Sequence, residues 1–169
     1  RYRARHQWMQ DAFSSMLLSN RDAGAIAVRY QASACTDITG FGLAGHLLEM
    51  LANGVDVELD LDTVPVLDGA LDCLRADITS SLHHDNSTAS AFVDFGTRSL
   101  SDPRVQLLFD PQTAGGLLFG VPAASAEQCI ADLTAAGYQH AVAIGQVLAT
   151  GQDQARIQLA VGRHPSPGV

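Results

Sequence analysis

The order of hydrophobic and polar positions divides the first third of the chain into helical and extended segments. Apolar residues recur at helical spacing from about residue 5 to 28, with weak points at Asn20 and Gly24, which predicts one long or broken helix. A short strand is expected over residues 30–37. Four apolar residues then share one helix face and predict a helix that stops at Asn53-Gly54: Leu43, Leu47, Met50 and Leu51.

Residues 55–62 alternate strictly between apolar side chains and carboxylates, the latter being Asp56, Glu58, Asp60 and Asp62. A period of two predicts a strand with one buried face and one solvated face. The acidic face would also discourage pairing at a sheet edge.

Polar residues dominate the middle of the chain. Pro65 is predicted to open a short helix that carries Leu67 and Leu74. Residues 77–103 are polar and poorly periodic, which indicates a loop with a helical turn. Because loops of this length are uncommon in compact domains, a functional role is expected for it.

The last third of the chain alternates between apolar runs and turn signals. VQLLFD (105–110) and GLLFGV (116–121) are predicted strands joined by a turn. Ser125 and Gln128 resemble a capping box for a helix that ends at Gly137. A final strand pair, HAVAIGQVLA (140–149) and ARIQLAV (155–161), is expected around Gly151.

These elements favour an α+β fold with a mixed β-sheet packed with helices, rather than a purely parallel sheet. One domain is predicted over residues 1–162, followed by a flexible tail over 163–169. The chain lacks an initiator Met and runs at once into a helical pattern, so a fragment of a longer protein is expected.

Composition excludes several classes of protein. The formal net charge of −8 argues against a face that grips nucleic acid, and no apolar run reaches the ~18 residues of a membrane span. The cysteines Cys35, Cys73 and Cys129 form no C-x-x-C pair, which indicates reduced thiols and a cytoplasmic protein.

The stretch ACTDITGFGLAGHLLEM (34–50) contains a G-x-G-x-x-G at Gly40, Gly42 and Gly45. A dinucleotide-binding turn would explain the glycines, because a strand precedes them and Asp60 or Asp62 follows at about the right distance. The carboxylate at the strand end and the clean alternation of the next strand oppose this interpretation. A P-loop is excluded because no Gly-Lys-Ser/Thr follows.

Asp37 allows a different interpretation of the same loop. A carboxylate at a strand end can hold Mg²⁺ beside phosphate oxygens, and the amides around Gly40 and Gly42 at a helix start would attract the phosphates. The alternative is structural: Asp37 or Thr39 caps the helix, and the glycines only permit close packing.

Two motifs resemble the selenophosphate synthetase (selenide, water dikinase) family. Residues 34–50 resemble its T-D-[VI]-T-G-F-G-L-x-G-H segment, and LLFDPQTAGGLLFGV (107–121) resembles its D-P-Q-T-S-G-G-L-L segment. Asn86 in the long loop and the G-x-V at 145–147 also fit. Ala114 departs from the usual Ser, and the Gly-Thr pair that commonly precedes the Asn is missing.

The resemblance implies the carboxy-terminal half of that enzyme, in the aminoimidazole ribonucleotide synthetase superfamily. It implies ATP, selenide and water as substrates, with Mg²⁺ bound at the nucleotide phosphates. Asp37 is the implied metal ligand, and Gly40 and Gly42 are implied near the phosphates. No catalytic residue is implied within this chain, because the catalytic Cys or selenocysteine, its Lys and most metal-binding aspartates belong to the amino-terminal domain. That domain is the implied partner and the main contact of a homodimer, and the fragment alone is expected to be inactive.

For the other candidate residues, structural roles are expected. Cys35 is expected to be a buried, inert thiol. His46 is expected to be a packed, hydrogen-bonded histidine. His83 and His84 are adjacent and should point apart, which argues against a metal cluster with Asp85. Asp110 is expected to bond turn amides, and the DPQTAGG loop alternatively lines the nucleotide site.

Two further functions stay open on the sequence. The first is another member of the same synthetase superfamily, acting on a different acceptor. The second is a non-catalytic module that binds a nucleotide or a partner within a fusion protein.

Overall fold

The computed structural model describes residues 5–51, 55–149 and 156–160. The helices are α1 His6–Leu17, α2 Arg21–Arg29, α3 Gly42–Met50, α4 Ala70–Arg75, α5 His83–Asn86, α6 Pro103–Gln106 and α7 Ala126–Ala135, with 3₁₀ turns at Ser87–Phe92, Leu107–Phe109 and Ala123–Ser125. The strands are β1 Ala34–Asp37, β2 Val55–Leu59, β3 Val93–Asp94, β4 Leu117–Gly120, β5 Gly145–Ala149 and β6 Ile157–Leu159. Within these residues, no helix is long and apolar enough to cross a membrane.

The predicted amino-terminal helix is broken, as the sequence allowed. Between α1 and α2 the Asn20 side chain donates a hydrogen bond of 3.0 Å to the Gly115 carbonyl. Helix α2 packs on α7 through a small core of Ala23, Ile26, Cys129 and Leu133.

Strands β1 and β4 form an antiparallel two-stranded sheet, in register from Ala34 opposite Gly120 to Asp37 opposite Leu117. The prediction that VQLLFD forms a second strand beside β4 is wrong. Asp102 caps a helical turn there, accepting a bond of 2.9 Å from the Arg104 amide, and Pro103 occupies the first turn. This start signal outweighs the β-like apolar run.

The second sheet has the strand order β3-β6-β2-β5 and is mixed, because β2 pairs antiparallel with β5 and parallel with β6. The expected direct pairing of the last two strands is therefore wrong, since β5 and β6 lie on either side of β2. The prediction that the acidic face of β2 protects a sheet edge is also wrong, because β2 is an interior strand.

Asp56 is buried, at 1% exposure, although alternation predicted a solvated face. Its carboxylate accepts hydrogen bonds from the Arg156 backbone amide at 2.9 Å and from Gln158 Nε2 at 3.0 Å. Pairing with β6 thus supplies the partners that make burial of this acid possible.

The main core lies between the mixed sheet and the segments α3 and α6. Its most buried members include Ala44, Leu59, Val105, Leu108 and Ile157. A mixed sheet packed with helices confirms the α+β prediction.

Several predicted boundaries differ from the structure. The helix expected at Pro65 begins at Ala70, and Ser125 makes no side-chain cap bond to α7. The 77–103 segment contains a helical turn, as predicted, in α5 and the 3₁₀ turn after it, but it also contains the short strand β3. The predicted helix stop at Asn53-Gly54, the predicted connection at Gly151, the domain end at 162 and the tail 163–169 lie outside the described residues.

Candidate functional site

The two motifs singled out in the sequence lie against each other. Ile38 follows β1 and exchanges backbone bonds with the glycine pair of the DPQTAGG loop, donating to Gly116 O at 3.0 Å and accepting from Gly115 N at 3.1 Å. The Gln112 amide donates to Thr39 O at 3.0 Å. Residues 38–42 and 109–116 therefore form one continuous backbone layer, here called the motif junction.

Gly42 is required by this packing. Its φ is +70°, and a Cβ built on it would lie 2.9 Å from Leu108 O and 3.1 Å from Asp110 O. An L side chain is strained at this φ, and the facing backbone leaves no room for one. Close packing thus accounts for Gly42, as the structural alternative proposed for the glycines.

Gly40 is in a different environment, because a Cβ added there would meet nothing within 4 Å. The structure therefore shows no packing reason for this glycine. Its carbonyl is held from the other side: Asn86 Nδ2 donates to Gly40 O at 2.8 Å and to Phe109 O at 3.1 Å. One amide from the 77–103 segment thus bridges both halves of the motif junction.

His46 anchors the helix that follows the loop. It is buried, at 6% exposure, and its Nε2 shares a hydrogen bond of 3.0 Å with Thr39 Oγ1. Its Nδ1 lies 3.1 Å from a Glu49 carboxylate oxygen without the alignment of a hydrogen bond. The prediction of a packed, bonded histidine is confirmed. Because Thr39 bonds His46 and α3 begins without a side-chain cap, the helix-capping alternative is wrong for Asp37 and Thr39.

Phe41 is an exposed aromatic residue beside the open space at Gly40. It is 57% exposed, and its ring lies 5.4 Å from the imidazole of His46 between centroids. Gly45 makes this position possible, since a Cβ there would lie 2.7 Å from the Cβ of Phe41. Nothing in the sequence distinguished Phe41 from a core residue.

Asp37 ends β1 with an exposed side chain. Among the side-chain contacts of the described residues, its carboxylate takes part in no hydrogen bond or ion pair. Also over those residues, no group of three or more His, Cys, Asp or Glu side chains is arranged to hold a metal ion. Asp37 is thus available to a ligand but does not form a metal site by itself.

Cys35 is exposed, so the prediction of a buried thiol is wrong. In β1 the side chains alternate, and Cys35 lies on the same side as Asp37. Desolvation by the surrounding chain and then the charge of Asp37 raise the pKa of the thiol. A raised pKa leaves little thiolate, the reactive form, at neutral pH.

Asp110 is a partly buried acid within the junction. Burial raises the pKa of its carboxyl group, and the neighbouring His83 and a bond of 2.8 Å from Gln112 Nε2 oppose the shift. The expected bonding to turn amides thus takes the form of a side-chain amide two residues away.

A pocket of about 310 Å³ adjoins the junction at Phe109. Hydroxyl and imidazole groups line much of it, contributed by Thr79, Ser80, His83, His84 and Ser87. Both histidines line this pocket, His83 half-buried and His84 exposed.

Sequence reasoning missed Asn20 as a contributor to this region. The sequence pattern marks Asn20 only as a weak point of a helix, whereas its side chain donates a hydrogen bond to the Gly115 carbonyl of the junction. An Asn at a helix break was the available signal, because its amide commonly bonds nearby backbone groups.

A comparison with protein families identifies the chain. The profile described as "AIR synthase related protein, C-terminal domain" matches residues 7–158. The chain belongs to this family. Membership agrees with the α+β architecture described above and with the superfamily that the two motifs implied.

Curated relatives of this AIR synthase related domain have the name that the motifs predicted. The chain is 39% identical over 132 residues to "Selenide, water dikinase" of Agathobacter rectalis, covering 76% of this chain and 38% of the relative. It is 40% identical over 136 residues to the protein of the same name from Pelobacter propionicus, covering 79% of this chain and 39% of the relative. It is 36% identical over 144 residues to the "Selenide, water dikinase" of Geobacter metallireducens, a match that covers 83% of this chain and 40% of the relative.

The predicted resemblance to selenophosphate synthetase is therefore confirmed at the level of the sequence match. The chain spans about two fifths of the length of the curated relatives it matches. The assignments of Asp37, Gly40 and Gly42 to metal and phosphates stay predictions.

Proposed function

We propose that this domain completes the Mg²⁺–ATP site of a selenide, water dikinase whose other residues belong to a preceding domain. The relatives named above support the activity, and the family description supports the position of the domain. The observation that carries the proposal is the exposed Asp37 carboxylate at the end of β1, in the same loop region as Gly40, where an added Cβ would meet nothing within 4 Å.

The donor set at this place suits a shared metal site. Mg²⁺ usually takes one or two carboxylates and completes its shell with phosphate oxygens and water. Asp37 would supply one such oxygen, and a bound Mg²⁺ would offset the negative charge of the nucleotide. Because the described residues place no group of three or more potential metal ligands together, the remaining protein ligands would come from the preceding domain.

The chain's own residues would position the phosphates. The loop at Gly40 lies before the amino end of α3, where backbone amides and the helix dipole favour anions. Asn86 holds the Gly40 carbonyl and thereby orients this loop. Positioning and charge neutralisation are the main sources of rate enhancement in phosphoryl transfer.

The remaining parts of the proposal follow from the same resemblance. ATP, selenide and water would be the substrates, and the 169-residue chain alone would be inactive. The longer protein would act in the cytoplasm as a homodimer, without nucleic acid or membrane partners.

A second candidate is another reaction of the same family. The matching profile describes AIR synthase related proteins in general, so it is equally compatible with an ATP-using synthetase that acts on a different acceptor. AMP formation that requires selenide would separate the two candidates.

The test uses the complete protein that contains this chain. Wild-type protein is expected to form AMP from ATP only when selenide and Mg²⁺ are present. Asp37→Asn is expected to lower this activity about 100-fold, the scale of removing one preorganised charge-stabilising group, and to raise the Mg²⁺ concentration required.

Asp68→Asn serves as the matched control, because Asp68 is an exposed aspartate in another loop. If Asp37→Asn retains both the activity and the Mg²⁺ dependence of the wild type, the ligand assignment is wrong. If the wild type forms AMP without selenide, or forms none, the dikinase assignment is wrong and other acceptors remain.

A further inference from the structure

Helix α1 displays large apolar side chains to solvent. Met9, Phe13 and Leu17 are 47%, 54% and 84% exposed. They follow each other at intervals of four residues and therefore form one stripe along the helix, here called the α1 stripe. None of the residues of α1 is buried.

A neighbouring side of the helix, about 100° around the axis from the stripe, explains how α1 is held. The indole of Trp8 lies against Gly69, where an added Cβ would overlap the ring. Ala12 and Met16 continue this side at the same spacing and are half-buried. The α1 stripe therefore lies beside the side of α1 that contacts the domain, and its own side chains remain exposed.

An uncovered stripe of this kind is unfavourable. A helix of this length is marginal in water and depends on packing of an apolar face for its stability. Contiguous exposed apolar surface of this type marks an interaction site, of which a contact with another protein surface is one kind. Leu18, at 52% exposure, adds to the apolar surface at the end of the helix.

The relatives indicate what covers the stripe. More than half of the length of each curated relative lies outside the matched part, and the family is described as a C-terminal domain. The family match begins at residue 7, within α1 itself. In a longer protein, the chain that leaves a preceding domain would therefore arrive directly at α1.

We propose that the α1 stripe is the surface on which the preceding domain of the longer protein packs. This inference rests on the proposed function, in which that domain supplies the rest of the active site. The stripe would then set the position of Asp37 relative to the other ligands.

Thiol labelling of the complete protein tests the proposal. Leu17→Cys and Val142→Cys are prepared separately, and maleimide labelling of each position is followed by peptide mass spectrometry. Leu17 is the more exposed of the two here, at 84% against 44% for Val142. If the preceding domain covers α1, this order reverses: Cys at position 17 is expected to label at least about tenfold more slowly than Cys at position 142, because labelling at 17 then requires local opening of the contact.

Met9→Cys provides a second position in the stripe, should Leu17→Cys prevent folding. Labelling at 9 or 17 that is as fast as at 142 would overturn the proposal. Slow labelling that becomes fast on dilution would also overturn it, because the stripe would then be covered by a second copy of the protein. A complete gene product without a preceding domain would also overturn it.

The labelling result is independent of catalysis. Slow labelling in a protein without selenide-dependent AMP formation would leave the stripe assigned and reject the proposed function. Fast labelling in an active dikinase would reject the role of the α1 stripe and leave the proposed function in place.

Discussion

Gly40 and Gly42 stand two residues apart in one loop, and the folded chain places different demands on them. Gly42 has a positive φ and faces the backbone of residues 108–110, whereas the space beside Gly40 is open. The sequence could show that the loop is rich in glycine. It could not show which glycine is required for packing and which leaves room for a ligand.

Gly42→Ala is expected to destabilise the domain strongly. The new Cβ would meet Leu108 O and Asp110 O, and the residue would be held at an unfavourable φ. Together these should lower the free energy of unfolding by about 2–4 kcal/mol. Urea denaturation measures the loss, with Gly40→Ala as the matched control, expected within about 0.5 kcal/mol of wild type. Equal effects of the two substitutions would contradict the packing argument.

Asp110 makes the stability of the domain depend on pH. Burial raises its pKa in the folded state above the ordinary value, so the folded chain keeps this proton to a higher pH than the unfolded chain does. Between the two pKa values unfolding releases a proton, and stability therefore falls as pH rises from roughly pH 4 upward.

Asp110→Asn should remove this contribution. Relative to wild type, the variant is expected to gain stability as pH rises from about 4 to 7, because a neutral amide has no proton to lose. Urea midpoints at a series of pH values provide the measurement, with the exposed Asp68→Asn as control. A constant difference between Asp110→Asn and wild type across the series would show that Asp110 is not perturbed.

At the scale of elements, local pattern predicted helices well where the apolar periodicity was clear. The break before α2, the helix after the glycine loop and α7 were all placed correctly. VQLLFD was misassigned because a short segment with four apolar residues does not distinguish a buried strand from a buried helical turn. The Asp102-Pro103 start signal decides the matter, and it stands just outside the run.

Asn86 joins elements that are far apart in the sequence. Its two bonds, to the carbonyls of Gly40 and Phe109, connect α5 with both halves of the motif junction. Asn86→Ala leaves two carbonyls without this donor and is expected to lower the free energy of unfolding by about 1–3 kcal/mol. In the complete protein it should also raise the KM for ATP, since the Gly40 loop loses its support.

Thr88→Ala is the matched control for Asn86→Ala. Thr88 is exposed nearby and bonds only the local Asp85 carbonyl, so its loss should change stability by less than about 0.5 kcal/mol. Chemical denaturation of both variants provides the comparison. An Asn86→Ala protein as stable as Thr88→Ala would show that the bridge contributes little.

At the scale of the whole molecule, the domain has chemical groups that it does not use internally. Asp37 is exposed at the end of a strand, and the α1 stripe presents apolar surface to solvent. Both features are accounted for if a preceding domain supplies metal ligands at one place and a packing surface at the other. The shared length with the curated relatives, about two fifths, agrees with such a division.

The sequence by itself determined the family, the α+β class and the position of Asp37 at a strand end before a helix. These follow from local information: motifs, periodicity and turn residues close together along the chain. Tertiary structure alone decided that Asp56 is buried, that β2 lies between β5 and β6, and that Asn86 reaches Gly40. Each of these depends on partners that are distant in sequence. Carboxylates on alternate positions mark a solvated face only until another strand, here β6, brings amide donors that satisfy one of them.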